Sequence, residues 1–240
     1  MSTPFRMAIL GLVLTVSGCT NSDSGSTVTP VTPVTPVTPT PTITQGRIVS
    51  EPTGAILVSG TPILTAQGFT ASDNATLSYA WNFGNGNTQT GLTSVRPSYA
   101  TAGTYTVRVT ATGSTGATSS ATLDLRVGSM TGRWRLIDSA GTTLSSTGQL
   151  TQNGLAVTGE DQIASDCRWT VGGVVGDARL TLLTWTRTAG ACAGRNLPNV
   201  FTFTGTGNAD LTEFAGTFSN AQGGTLTGAG RLVPCGTSGC

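Results

Sequence analysis

The chain contains no histidine and no lysine; all twelve of its basic residues are arginine. These absences exclude a Ser-His-Asp triad, a Cys-His pair, a Ser-Lys dyad, a phosphate-loop lysine, a Schiff base and any histidine-ligated metal site. Charge of either sign is also scarce, at 10% of residues against a usual ~25%. What fills the space is threonine, 46 residues, and glycine, 33. That bias favours short strands and turns over helices. A length of 240 residues allows one large domain or two small ones. Removing Arg6 with the N-terminal segment discussed next leaves eleven arginines against eleven acidic residues. With no net charge and no basic cluster, the electrostatic footprint of a nucleic-acid binder is missing.

Residues 1–18 read as a secretory signal peptide, with Arg6 followed by the apolar run from Met7 to Leu14 and then by small residues. The run is short for a span of a ~30 Å hydrocarbon core. Val16-Ser17-Gly18-Cys19 resembles the bacterial lipoprotein cleavage box, which implies that Cys19 is acylated and becomes the first residue of the mature chain. Thr20 stands where an inner-membrane lipoprotein of enterobacteria carries Asp. The expected address is therefore the cell envelope, at the outer membrane or cell surface, with the membrane as a partner through the lipid.

Residues 19–46 form the expected linker. Val-Thr-Pro repeats run from Val28 to Pro39 and continue through Thr40-Pro41-Thr42. Proline at every third position fixes φ and pushes its predecessor to extended geometry, so polyproline II follows. Fifteen such residues reach ~45 Å at ~3.1 Å each, a semi-rigid stalk. Nothing before about Gly46 is expected to pack.

Residues 47–128 are strand-like, with turn residues every eight to twelve positions, the spacing of a small sandwich. Leu77, Tyr79, Trp81 and Phe83 alternate with smaller residues, which makes Trp81 the expected core centre. Gly84 and Gly86 suit a tight turn with positive φ. Tyr105 falls where a sandwich places a tyrosine corner. The segments Tyr79-Ala80-Trp81-Asn82-Phe83-Gly84-Asn85-Gly86, Arg96-Pro97-Ser98-Tyr99 and Gly103-Thr104-Tyr105 resemble the polycystic-kidney-disease (PKD) domain family. The resemblance implies an immunoglobulin-like sandwich of about seven strands. Asn82 and Asn85 stand where the family commonly has Asp, so no metal is assigned; a calcium site at Asp73 and Asn74 is the lesser reading.

Residues 129–240 alternate in about eight segments, read as strands near 132–138, 144–152, 155–160, 167–175, 179–187, 199–206, 210–218 and 224–233. Asn153-Gly154 is a two-residue hairpin signal of the I′ type. Eight strands joined by short turns are enough to close a meander barrel, filled or holding one small ligand. The expected architecture is thus all-β: an immunoglobulin-like sandwich, then a small antiparallel barrel. Trp134, Leu136, Leu150, Val157, Trp169, Val171, Leu183, Trp185, Phe201, Phe203, Phe214 and Phe218 are the inward candidates. Gly132-Arg133-Trp134 and the late Arg231 are similar to the lipocalin and avidin-like pattern, which implies an arginine lying across the Trp134 indole. If the barrel holds a ligand, its expected lining is Trp134, Trp169, Trp185, Phe201, Phe203 and Arg231.

With Cys19 spent on lipid, Cys167, Cys192, Cys235 and Cys240 remain. An even count in an exported domain suggests disulfides with three possible connectivities, of which Cys167–Cys192 plus Cys235–Cys240 is preferred. A four-cysteine zinc site is the rival. Carboxylates are the remaining catalytic groups, and Asp138, Glu160, Asp161, Asp166, Asp177, Asp210 and Glu213 read as solvated turn and outer-face charges. The expectation is a non-enzyme without cofactor or metal, binding an extracellular protein or glycan. The alternatives are a lipocalin-like carrier of a small apolar ligand and an accessory or inhibitor of a secreted hydrolase. Oligomeric state is left open.

Overall fold

The computed structural model describes residues 39–164, 167–176, 179–189, 199–220 and 227–236. Their regular structure is entirely β. The first ten strands are β1 (Ile43–Thr44), β2 (Arg47–Glu51), β3 (Ile56–Leu57), β4 (Ile63–Gln67), β5 (Thr70–Ala71), β6 (Ser78–Asn82), β7 (Thr88–Thr90), β8 (Ser94–Val95), β9 (Gly103–Thr112) and β10 (Thr118–Gly128). They form a three-stranded sheet β2-β4-β8, a five-stranded sheet β3-β10-β9-β6-β7 and a small pair β1-β5. All pairings are antiparallel except β3 with β10.

Alternation fixes the sandwich core. Val107, Val109 and Ala111 of β9 are fully buried between exposed or half-buried neighbours, and Trp81 of β6 faces them. The Trp81 indole N–H donates to the Leu92 carbonyl at 2.9 Å, so the ring is buried without an orphaned donor. Gly84 sits at φ 75°, and a Cβ there would lie 2.8 Å from the Thr106 carbonyl oxygen. Turn geometry and close approach both require glycine at that position. Tyr105 donates its hydroxyl to the Thr101 carbonyl at 2.9 Å, although its ring is only half-buried. The stalk reading needs one correction: Ile43 and Thr44 pair with Ala71 and Thr70, and Ile43 packs on the sandwich core. An isoleucine at the end of a threonine–proline tract has apolar area to bury, and the edge of the sandwich core near Gly113 receives it.

Tyr99 is the deepest tyrosine, with no exposed surface, and donates to the Phe83 carbonyl at 3.2 Å. Burial, with the neighbouring Tyr105 adding to it, pushes its pKa up to about 12. An unfolded tyrosine titrates near ~10. Between those values the unfolded chain has lost a proton that the native chain keeps, so stability falls as pH rises through the window. The loss attributable to Tyr99 is expected to be about 2 kcal/mol at pH ~11.5. Denaturant unfolding at pH ~9 and ~11.5 should show it in the parent and not in Tyr99→Phe.

The remaining strands are β11 (Gly132–Asp138), β12 (Thr143–Asn153), β13 (Ala156–Ala164), β14 (Cys167–Gly176), β15 (Leu180–Ala189), β16 (Val200–Gly207), β17 (Phe214–Asn220) and β18 (Gly228–Pro234). Each pairs with the next, and β11 pairs with β18 through Leu136 and Leu232, closing an eight-stranded antiparallel barrel. All twelve inward candidates are buried. The hairpin after β12 differs from the expected form. Asn153 pairs with Ala156, so Gly154 and Leu155 are the central residues, and only Gly154 has positive φ, 62°. That is the requirement of a II′ turn rather than I′. The seventh strand starts at Phe214, four residues later than expected. Asn208 accepts from the Thr212 backbone at 2.9 Å and donates its own backbone N–H to Glu213, holding residues 208–213 in a turn. The eighth begins at Gly228; residues 224–226 of the expected strand lie outside the described residues.

Sandwich and barrel share a buried seam. Ile56 belongs to the sandwich core and the next residue, Leu57, to the barrel core. Met130, between the two domains, has no exposed surface, and its carbonyl accepts the Trp134 indole N–H at 2.8 Å. The Gln152 side chain donates to the Val58 carbonyl at 3.0 Å and accepts from the Met130 N–H at 2.9 Å. Arg179 donates from Nε to the Ala55 carbonyl at 2.6 Å. Burial at this seam lowers the pKa of its guanidinium, with Asp210 opposing the shift.

Candidate functional site

The barrel interior is the first candidate, since the sequence places the aromatic side chains there. Trp169, Trp185, Phe201 and Phe203 are no more than 1% exposed, and Trp134 is 5% exposed. Phe201 and Trp185 stack with centroids 4.9 Å apart at 7°, Trp169 meets Phe201 edge-on at 6.4 Å, and Trp134 meets Phe214 edge-on at 5.5 Å. Leu183, Phe203 and Phe218 sit side by side in register on β15, β16 and β17, all pointing inward. These rings form a packed core and occupy the space that a carried ligand would need.

Arg231 is not with them. It lies on the outer face, 48% exposed, and pairs with Glu213 at 3.3 Å. Its strand neighbour Leu232 is the inward residue, so Arg231 is on the opposite side of the sheet from the Trp134 indole. The expected arginine–indole contact therefore does not form there. Arg187 is the arginine over an indole, 6.0 Å from the Trp169 ring centroid.

Asp161 departs from the expectation of solvated carboxylates. Strand β13 continues to Ala164, and Asp161 points inward at 2% exposure, accepting from the Trp185 indole N–H at 3.0 Å. Asp161, Trp169 and Arg187 are register partners across β13, β14 and β15. They form a polar row above the aromatic layers, in which the Trp169 indole N–H has no acceptor. Glu160 is the next residue along the strand and faces outward, so Glu160 and Asp161 do not face each other as a hydrolytic carboxylate pair would. Asp166 and Asp177 lie outside the described residues.

Cys167 is fully buried, and Cys167 and Cys235 are each held in a disulfide. Cys19, Cys192 and Cys240 lie outside the described residues. No cluster of three or more metal-ligating side chains occurs among the described residues.

The second candidate, which the sequence reading missed, is the outer wall of β14 to β17. Val174, Leu182, Thr204 and Thr217 are successive register partners, and all four are exposed. A parallel row runs through Thr184, Thr202 and Ser219, with the last two hydroxyls 2.9 Å apart. Val174 is 50% exposed, Leu182 42% and Leu180 39%; Leu155, at the adjoining hairpin, is 50% exposed. From Thr170 to Ser219 the outward positions of these four strands carry no charged residue. One signal was available: in Leu180-Thr181-Leu182-Leu183 the alternation that turns Leu183 inward also buries Thr181, bonded to the Met130 sulfur at 3.3 Å, while Leu180 and Leu182 face out.

The family model of the PKD domain matches residues 31–127, about two-fifths of the chain. No curated protein matches. Among solved structures, one described as "Structural basis for the promiscuous specificity of the carbohydrate-binding modules from the beta-sandwich super family" is 16% identical to this chain. The match covers 80% of this chain and 89% of that one, with a TM-score of 0.36. A likeness that slight carries no weight for the ligand. The first domain is a PKD-type, immunoglobulin-like sandwich, and the second is a closed eight-stranded barrel.

Proposed function

We propose that this chain is a non-catalytic binding protein of the cell envelope, in which a PKD-type sandwich carries a filled barrel whose outer wall docks a protein. The observation that supports this most directly is the uncharged wall around Val174, Leu182 and Thr204, where bulky aliphatic side chains stand in solvent. Grouped exposed apolar residues on a barrel with a packed interior are a feature of interaction surfaces. A glycan is the less favoured partner, because every described Trp and Phe ring is buried and the tyrosines are at most half-exposed. Among the described residues, only the partly exposed rings of Tyr79 and Tyr105 are left for a sugar to stack on. The packed core likewise argues against a carried apolar ligand. Inhibition of a secreted hydrolase would be one form of protein docking.

The proposal includes acylation at Cys19, the segment 20–41 as the stalk, and disulfides Cys167–Cys192 and Cys235–Cys240. In cells, Cys19→Ser should lose fatty-acid labelling and pass to the soluble fraction; retention in membranes would refute the anchor. A photo-crosslinking residue at Thr204 should give protein adducts on the cell surface, while the same residue at Leu92, an isolated exposed leucine of the sandwich, should not. Equal labelling at both positions, or none at Thr204, would remove the wall from consideration.

A further inference from the structure

We infer that the occupant of this wall is a second copy of the chain, packed wall to wall about a two-fold axis. The inference rests on the reading of the barrel as a protein-binding module and names its partner. A two-fold interface sets a patch against itself, so any charge near the axis meets its own like. Most protein surfaces are unsuited to that arrangement, whereas this one has no charge at the outward positions from Thr170 to Ser219.

The chemistry of the wall is self-complementary in a second way. Threonine and serine hydroxyls both donate and accept, so rows of them can pair with an identical row in either sense. The contact at 2.9 Å between Thr202 and Ser219, in which either oxygen can be the donor, shows the same chemistry within one copy. The aliphatic side chains of Val174 and Leu182 lie beside these rows and supply apolar area to bury.

Four strands at ~4.8 Å spacing, of seven to ten residues at ~3.3 Å each, give a face of roughly 15 by 30 Å, or about 450 Å². That is little more than half of the ~800 Å² per partner of a standard interface. Barrel curvature lowers the area in contact, so a weak dimer is expected. Membrane tethering would raise the effective concentration and make a weak interface sufficient.

The test is sedimentation equilibrium of the full chain carrying Cys19→Ser, from about 1 μM to 1 mM, spanning the Kd of weak complexes. The expected result is reversible dimerisation that changes little between low and high salt, because no ion pair lies near the axis. Leu182→Glu and Leu182→Lys, at an exposed position that does not threaten folding, should each weaken association by about tenfold or more. Mixing these two variants should restore it by pairing opposite charges across the axis. A monomer throughout the range, or undiminished association of Leu182→Glu, overturns the inference. If the chain is monomeric but Thr204 still gives adducts with other proteins, the protein-binding reading stands and only the identity of the partner falls. If both measurements are negative, both fall.

Discussion

Phe203→Ala is expected to destabilise the barrel by about 3–5 kcal/mol, the usual cost of truncating a buried phenylalanine. Phe203 has no exposed surface and lies in one inward layer with Leu183 and Phe218. Neighbouring strands of a closed barrel are hydrogen-bonded on both sides, so collapse into the void is resisted. At about 2–4 °C per kcal/mol for a cooperative unit of sandwich and barrel together, the transition should fall by at least 6 °C or so. The variant should also gain something the parent lacks: a dry apolar hole able to take up benzene or a similar probe. A shift of only a few degrees, or probe uptake by the parent, would show that the interior is not filled as described.

Leu57→Ala carries the second large effect. Leu57 is a residue of the sandwich sheet whose side chain is buried among barrel residues, at 1% exposure. Its truncation should cost about 2–5 kcal/mol and, unlike Phe203→Ala, should act on the coupling between the domains. The parent is expected to unfold in one calorimetric transition over the sandwich and barrel. The variant should separate into two, with the barrel melting first. Two transitions already present in the parent would mean that the seam described here does not couple the domains.

The difference between what the sequence made legible and what it did not is physical. Strict period-two alternation with one large apolar residue per inward position made Trp169, Val171, Trp185, Phe201 and Phe203 readable as a barrel core, because burial on one face leaves no other register. Gly84 and Gly86 were readable because few residues other than glycine adopt their φ. Leu57 was not. Ala55-Ile56-Leu57-Val58 is a continuous apolar run, which implies burial on both faces but does not say what covers the second. The cover is the barrel, more than seventy residues further along the chain. Asp161 was missed for a related reason. Its parity with Val157 points inward, yet its charge argues for solvent, and the indole that makes its burial tolerable comes from Trp185, two strands away. The wall was missed because a threonine on a strand face looks like ordinary solvation until the register of four strands is known.

The parallel pair β3–β10 has a mechanical consequence. Gly128, at the end of β10, leads through three residues into the barrel, while Leu57 on the adjacent β3 is seated in the barrel core. Separating the barrel from the sandwich would therefore strain the covalent exit at Gly128 and the seat of Leu57 on the neighbouring strand at once, so the domains are joined by one chain crossing and one packed side chain set side by side.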